Sequence, residues 1–337
     1  MRDEELSFAT HSLALIFFAT FLAMTSAPGY ALDLQGHRGA RGLKPENTLP
    51  AFAHALTLGV TTLELDCAVT KDGVVVVSHD STLNPDITRG PDGKWLQGEG
   101  PPIRQFTYEE LQRFDVGRID PQNAYAKRFP RQQPVDGTRM PRLTDVFALA
   151  RKSGNDAVRF NIETKISPLY PARTVSPEAF ARAFIKLIKT EKMERRVTIQ
   201  SFDWRTLKVV QQEAPEITTS YLTAQQGFMD NIQAGKRESP WTAGLRLNDF
   251  GGSIPRMVKA AGGAVWSPYH AETTREQVRE AQALGLKVVV WTVNEPADMR
   301  RMIEWRVDGI ISDYPDLLRQ VASEMGVELP APAPISP

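Results

Sequence analysis

From residue 141 onward the chain alternates between short apolar runs and amphipathic stretches at helical spacing. Strands are predicted over residues 158–165, 197–202, 218–223, 263–267, 287–293 and 309–312. Helices are predicted between and beside them, over 143–150, 177–190, 204–213, 255–261, 273–284 and 296–305. The first part of the chain adds a strand ending at Gln35, a helix over 49–59, and a strand over 62–69. A strand over 74–80 follows a turn at Lys71-Asp72-Gly73 that is too short to join parallel neighbours, so these two form a hairpin. Strands separated by helices pair in parallel. Eight parallel units in about 280 residues predict a closed (β/α)8 TIM barrel rather than a doubly wound sheet. No glycine-rich dinucleotide fingerprint or Walker A loop is present.

Residues 32–325 make up the barrel. Glycines, prolines and charges dominate residues 81–140, the composition of a functional insertion or lid. One short helix there opens with the capping box Thr107-Tyr108-Glu109-Glu110. The Pro/Ala-rich residues 326–337 read as a disordered tail. Residues 1–31 read as a signal peptide, with an apolar run at 13–24 and small residues up to Ala31, which implies a periplasmic or secreted protein. Asp3, Glu4 and Glu5 depart from the usual basic start of such a leader. The apolar run is too short for a comfortable membrane span, and no span is expected in the mature chain. Forty basic residues balance forty acidic ones, so nothing in the charge points to nucleic acid. Cys67 is the only cysteine, which excludes an intrachain disulfide. No motif speaks to oligomeric state.

A barrel of this kind carries its chemistry at the C-terminal ends of its strands. Those ends hold His37 and Arg38, flanked by Gly36 and Gly39, then Glu64 and Asp66, then His79 and Asp80, then Glu163 and Lys165. Gln200-Ser201-Phe202, Tyr269-His270, Trp291 with Asn294, and Asp313 complete the set. Glu64 and Asp66 sit two apart on one strand and so share a face. Three inward carboxylates, Glu64, Asp66 and Glu163, repel one another unless a cation compensates. Two compensations are open: a hard divalent cation, which suits all-oxygen donors, or Arg38 and Lys165 alone. Two histidines near an Arg/Lys pair fit phosphoryl chemistry, one taking a proton and the other giving one.

In order along the chain come His37-Arg38-Gly39, Pro45-Glu46-Asn47-Thr48, Glu64-Leu65-Asp66, Thr70-Lys71-Asp72-Gly73 and His79-Asp80. Ile162-Glu163-Thr164-Lys165, Gln200-Ser201-Phe202, Trp291-Thr292-Val293-Asn294 and Asp308-Gly309-Ile310-Ile311-Ser312-Asp313 follow. In these nine segments the chain resembles the glycerophosphodiester phosphodiesterases, of the barrel group that also includes phosphatidylinositol-specific phospholipases C. The resemblance implies hydrolysis of small-molecule glycerophosphodiesters to glycerol 3-phosphate and an alcohol. It implies His37 and His79 as general acid and base, and Glu64, Asp66 and Glu163 as holders of one divalent cation, Ca²⁺ or Mg²⁺. It implies Arg38 and Lys165 as phosphate contacts, Phe202 and Trp291 as an apolar wall for the glycerol carbons, and Glu46 with Asn47 as support behind the site. Insertion 81–140 matches the cap of that family. Cys67-Ala68 and Ser312 depart from the usual residues, without touching a group to which the resemblance gives a role. Attack by the neighbouring glycerol hydroxyl, through a cyclic phosphate, and direct attack by water both stay open. A related action on lysophospholipids or glycerol-phosphate polymers is the alternative within the class. A catalytically inactive binding barrel is the alternative outside it.

Overall fold

Eight parallel strands close into a barrel in this computed structural model, which describes residues 31–337. The expected leader lies outside the described residues but for Ala31. The chain runs β1 (Asp33–Gly36), α1 (Leu49–Leu58), β2 (Thr62–Val69), β3 (Val75–Val77), α2 (Tyr108–Leu111), α3 (Ala124–Arg128) and α4 (Leu143–Lys152). It continues with β4 (Arg159–Thr164), α5 (Pro177–Thr190), β5 (Val197–Ser201), α6 (Trp204–Glu213), β6 (Thr218–Thr223), β7 (Gln225–Gln226) and β8 (Met229–Asp230). It ends with α7 (Ile254–Ala260), β9 (Val265–Pro268), α8 (Arg275–Ala283), β10 (Lys287–Val290), α9 (Pro296–Glu304), β11 (Gly309–Ser312) and α10 (Pro315–Glu324). The barrel order is β1-β11-β10-β9-β6-β5-β4-β2, and β2 returns to β1 to close it. β3 lies antiparallel on the end of β2, as the Lys71-Asp72-Gly73 turn requires.

Side-chain alternation sorts each strand into an outer and an inner set. On β2, Leu63, Leu65 and Cys67 face the helices in the main core, while Thr62, Glu64 and Asp66 take the other face. Phe160 and Ile162 do the same on β4. The helices meet them with one apolar stripe each. On α5 this is Phe180, Ala181, Phe184, Ile185 and Ile188, and Ser176 caps the helix by accepting the Ala179 N–H. Each fully buried Phe or Leu contributes about 1.5–3 kcal/mol. Register then puts the polar set at one level: Asp66 stands opposite Glu163, and Glu163 opposite Gln200.

The insertion leaves the barrel after β3 and returns at α4. Its small core of Leu83, Ile103, Leu111 and Met140 packs on Ala68 and Val76 of the hairpin. The capping box at Thr107 and Glu110 forms. α3 escapes the sequence reading because five residues capped by Asn123 leave no apolar period to detect.

Composition predicts disorder over 326–337, and here the structure corrects it. Ala333 N–H donates to the Leu56 carbonyl at 2.9 Å, Arg319 holds the carbonyls of Gly59 and Pro330, and Leu329 and Ile335 pack on the main core. A proline-rich strap has few donors of its own, and an arginine from α10 supplies them. This strap borders a cavity of about 1420 Å³ at the N-terminal end of the barrel, lined also by Asp33, Thr62 and Arg159. That is the end opposite the one that carries chemistry in such barrels, so cavity size does not mark the site.

A tight backbone demand falls on the turn after β1. Gly39 has φ +84°, and a Cβ there would stand 2.8 Å from the Ala51 carbonyl carbon of α1. Gly39→Ala is expected to destabilise the protein by about 2–4 kcal/mol, from left-handed strain plus overpacking. Chemical denaturation against the parent chain checks this.

Candidate active site

The loop from His37 to Thr48 is cinched to the barrel mouth by backbone bonds. His37 N–H donates to the Ser312 carbonyl at 2.9 Å, Gly42 N–H to the Asp313 carbonyl at 2.9 Å, and Gly39 N–H to the Glu64 carbonyl at 3.1 Å. Arg38 is held at φ 49° and Asn47 at φ 57°, the left-handed region that costs a non-glycine residue energy. What maintains Arg38 there is its own N–H, which donates to Glu64 Oε2 at 2.8 Å.

Inside this loop the three carboxylates meet two cations. Arg38 Nη1 donates to Glu46 at 2.6 Å, and its Nε lies 3.4 Å from Asp66. Lys165 Nζ donates to Glu163 at 2.8 Å and lies 3.8 Å from Asp66. Asn47 Nδ2 donates to Asp66 at 2.9 Å, and Gln200 Nε2 to Glu64 at 2.8 Å. Burial, and then the Asp66 charge, push the Glu64 carboxyl well above its usual range. Burial, together with Asp66, also raises Glu163 against the pull of Lys165. Burial works to raise Asp66 as well, but His79, Lys165, Arg38 and His37 outweigh it and hold Asp66 low. Asp66 is therefore the stably ionised centre of the cluster.

Each histidine is tethered by an aspartate. His37 Nδ1 lies 2.6 Å from Asp313 Oδ1 and His79 Nδ1 lies 3.0 Å from Asp80 Oδ1. Burial works to raise both aspartates. For Asp313 it is outweighed by Arg41 and His37, and for Asp80 by His79, Arg38 and Lys165, so both stay ionised and only accept. Nδ1 of each ring therefore carries the hydrogen, which leaves Nε2 as the exchangeable position. His37 Nε2 stands 3.9 Å from Glu64. Burial, then the Arg41 guanidinium, lower the His37 imidazole to about 4. Burial, then Arg38 and Lys165, lower His79. Both rings are neutral near pH 7, the form that can take up a proton.

The opposite half of the mouth is apolar. Phe202, Leu222, Ala224 and Trp241 form a buried cluster, with Trp291 and Tyr269 against it. Phe202 meets Trp291 edge-on at 5.3 Å between ring centroids. The site is thus split: β1, β2, β4 and β11 carry charge, while β5, β6, β9 and β10 carry the wall.

His37, Arg38, Glu46, Asn47, Glu64, Asp66, His79, Glu163 and Lys165 come together as one network, and Phe202 and Trp291 stand together on the wall. His54 lies on α1, away from this network. His270 is buried in the turn after β9, its Nδ1 without a hydrogen bond. Four further residues belong to the site and had no assigned role. Asp313, just past the end of β11, anchors the His37 ring. Arg41 binds Asp313 through two nitrogens, at 2.8 and 3.0 Å. Gln200 holds Glu64, and Tyr125 of the insertion hydrogen-bonds to Glu46. Strand-end position flags Asp313 and Gln200, whereas no local signal marks Arg41 or Tyr125.

Residues 37–317 match the model of the glycerophosphoryl diester phosphodiesterase family. The chain belongs to that family. A glycerophosphodiester phosphodiesterase of Caldanaerobacter subterraneus subsp. tengcongensis is 32% identical over 86% of this chain and 97% of its own. A Silicibacter pomeroyi protein, solved as a candidate glycerophosphoryl diester phosphodiesterase, is 37% identical with a TM-score of 0.79, over 90% of this chain and 96% of that one. An Oleispira antarctica phosphodiesterase, solved with its product sn-glycerol-3-phosphate, shares the fold at a TM-score of 0.62 and 20% identity, over 87% of this chain and 98% of that one. The chain is an enzyme that hydrolyses glycerophosphodiesters. Among the described residues, no helix is long and apolar enough to cross a membrane.

The Asp313 tether makes a direct prediction. Asp313→Asn is expected to lower kcat by about 10²–10⁴-fold, because an amide no longer enforces the Nδ1–H form of His37. Steady-state hydrolysis of glycerophosphocholine checks it, with circular dichroism to confirm folding.

Proposed function

We propose that this enzyme releases glycerol 3-phosphate and an alcohol by general acid–base catalysis between His37 and His79, assisted by one divalent cation. The observation that carries this reading is the pair of aspartate-tethered imidazoles in the charged half of a mouth whose other half is apolar. Arg38 and Lys165 take the phosphate oxygens, and Phe202 and Trp291 take the glycerol carbons. One imidazole accepts the proton of the attacking hydroxyl at its bare Nε2, and the other, once it has taken up a proton from solvent at Nε2, gives that proton to the departing alkoxide. The wall keeps water from the carbon side of the substrate.

The donor chemistry of Glu64, Asp66 and Glu163 fits a hard cation such as Ca²⁺ or Mg²⁺. Two of the three carboxyls are raised, by burial first and then by the Asp66 charge, despite Arg38 and Lys165. Among the described residues no three acidic, histidine or cysteine side chains are gathered around one point. Gln200 and the Arg38 N–H hold Glu64, and Lys165 holds Glu163. A bound ion would replace those contacts and supply positive charge to the phosphate oxygens.

An extended set of rings favours a second reading, action on lysophospholipids. Phe228, 65% exposed at the tip of the β7–β8 hairpin, meets Tyr269 at 5.4 Å, and Tyr269 meets Trp291 at 5.3 Å. The rings lead from solvent to the wall, a path along which an acyl chain on the glycerol could lie.

His37→Ala and His79→Ala are each expected to lower kcat by at least about 10²-fold while the fold is retained. Near-parental turnover by either variant would sink the acid–base assignment. Exhaustive chelation is expected to abolish activity, and Ca²⁺ or Mg²⁺ to restore it, so full activity after chelation refutes the cation. A coupled glycerol 3-phosphate assay covers glycerophosphodiester substrates. Lysophosphatidylcholine cleavage, followed by choline release, tests the second reading. Export, the remaining part of the proposal, is checked by the mass of the mature N-terminus, expected to begin at Leu32.

A further inference from the structure

One side chain of the insertion meets two residues of the charged half of the site at once. Tyr125, on α3, hydrogen-bonds to Glu46 Oε2 and accepts from Arg41 Nη1 at 3.2 Å. Each partner begins a separate chain of contacts. Glu46 uses its other oxygen to hold Arg38 Nη1 at 2.6 Å. Among the described residues that is the one hydrogen bond of the Arg38 side chain, whose buried Nε has no hydrogen-bond partner. The aim of Arg38 therefore follows the Glu46 carboxylate, beside the Asp66 ion pair at 3.4 Å. Arg41 spends its other two donor nitrogens on Asp313, which holds the His37 ring at 2.6 Å. One phenol thus touches the supports of both the arginine and the histidine that flank the carboxylate cluster.

The neighbouring stretch of the insertion is fastened to the same loop. The Phe129 ring lies 4.6 Å from the Arg41 guanidinium and packs edge-on against Tyr125. Gln132 Nε2 donates to the Arg41 carbonyl at 2.7 Å, and Gln133 N–H donates to the Leu43 carbonyl at 2.9 Å. Those contacts hold the segment down without reference to the phenol, so removing the hydroxyl leaves the insertion seated.

We propose that Tyr125 is a positioning residue: the insertion seats its phenol between Glu46 and Arg41, and so sets the aim of Arg38 and steadies the His37–Asp313 pair. The role rests on the phosphodiester cleavage assigned to this site. Tyr125 itself touches neither the proposed phosphate contacts nor the two histidines. Its effect passes through Glu46 and Arg41, and belongs to the reacting geometry rather than to substrate capture.

Tyr125→Phe separates this from a structural role, since it removes one hydroxyl and keeps the ring that packs on Phe129. With glycerophosphocholine as substrate, kcat is expected to fall about tenfold, because small misplacements of reacting groups cost this much or more. KM is expected to stay within about twofold, and the melting temperature within about 3 °C. Made in a Glu46→Gln background, the same change is expected to lower kcat by clearly less than about tenfold, because the route through the carboxylate is already broken and only the contact with Arg41 remains. An unchanged kcat in Tyr125→Phe overturns the assignment. So does a loss that appears only in KM, a loss that tracks a fall in melting temperature, or a tenfold loss that persists unchanged with Glu46→Gln. If the parent enzyme cleaves no glycerophosphodiester, the reading of the site falls and this role with it. A parent that is active beside an unaffected Tyr125→Phe overturns this role alone.

Discussion

Three carboxyl groups lie buried side by side at the top of β2 and β4, and most of the site exists to make that tolerable. Unit charges about 4 Å apart repel by about 4 kcal/mol at an effective dielectric of about 20. Arg38 and Lys165 relieve part of this, but Glu64 and Glu163 remain raised and only Asp66 is held low. Asn47 and Gln200 add neutral donors. Removing any one of these leaves a buried polar group short of a partner, which is costly.

The barrel spreads the two kinds of chemistry around its rim. Charged strands neighbour one another because β11, β1, β2 and β4 are consecutive in the closed order, and the apolar strands β5, β6, β9 and β10 fill the rest. A molecule with a charged phosphodiester and an apolar carbon frame meets both halves at once. The split is a consequence of closure. The charged strands β11 and β1 stand at opposite ends of the chain and are neighbours only in the closed barrel.

Much of this was legible from residue order. β2 alternates so strictly that Glu64 and Asp66 had to share a face, and apolar stripes at helical spacing predicted elements such as α5 and α6 to the residue. These are local signals, written within one turn or one pleat. The reading failed where the deciding partner is far away. Asp313 lies 276 positions from His37, and Tyr125 lies 79 from Glu46. The tail read as disordered because its composition is rich in proline and alanine, whereas its order comes from Arg319 and α1.

By itself the sequence determined the barrel class, the strand ends that bear chemistry, and the residue types gathered there, because period-2 and period-3.6 patterns act over neighbouring residues. Only the tertiary structure decided which aspartate orients His37, that Arg41 and Tyr125 join the site, and that the mouth divides into a charged and an apolar half. Those outcomes depend on ring closure and on where the insertion folds back. Both bring together groups that no local pattern relates.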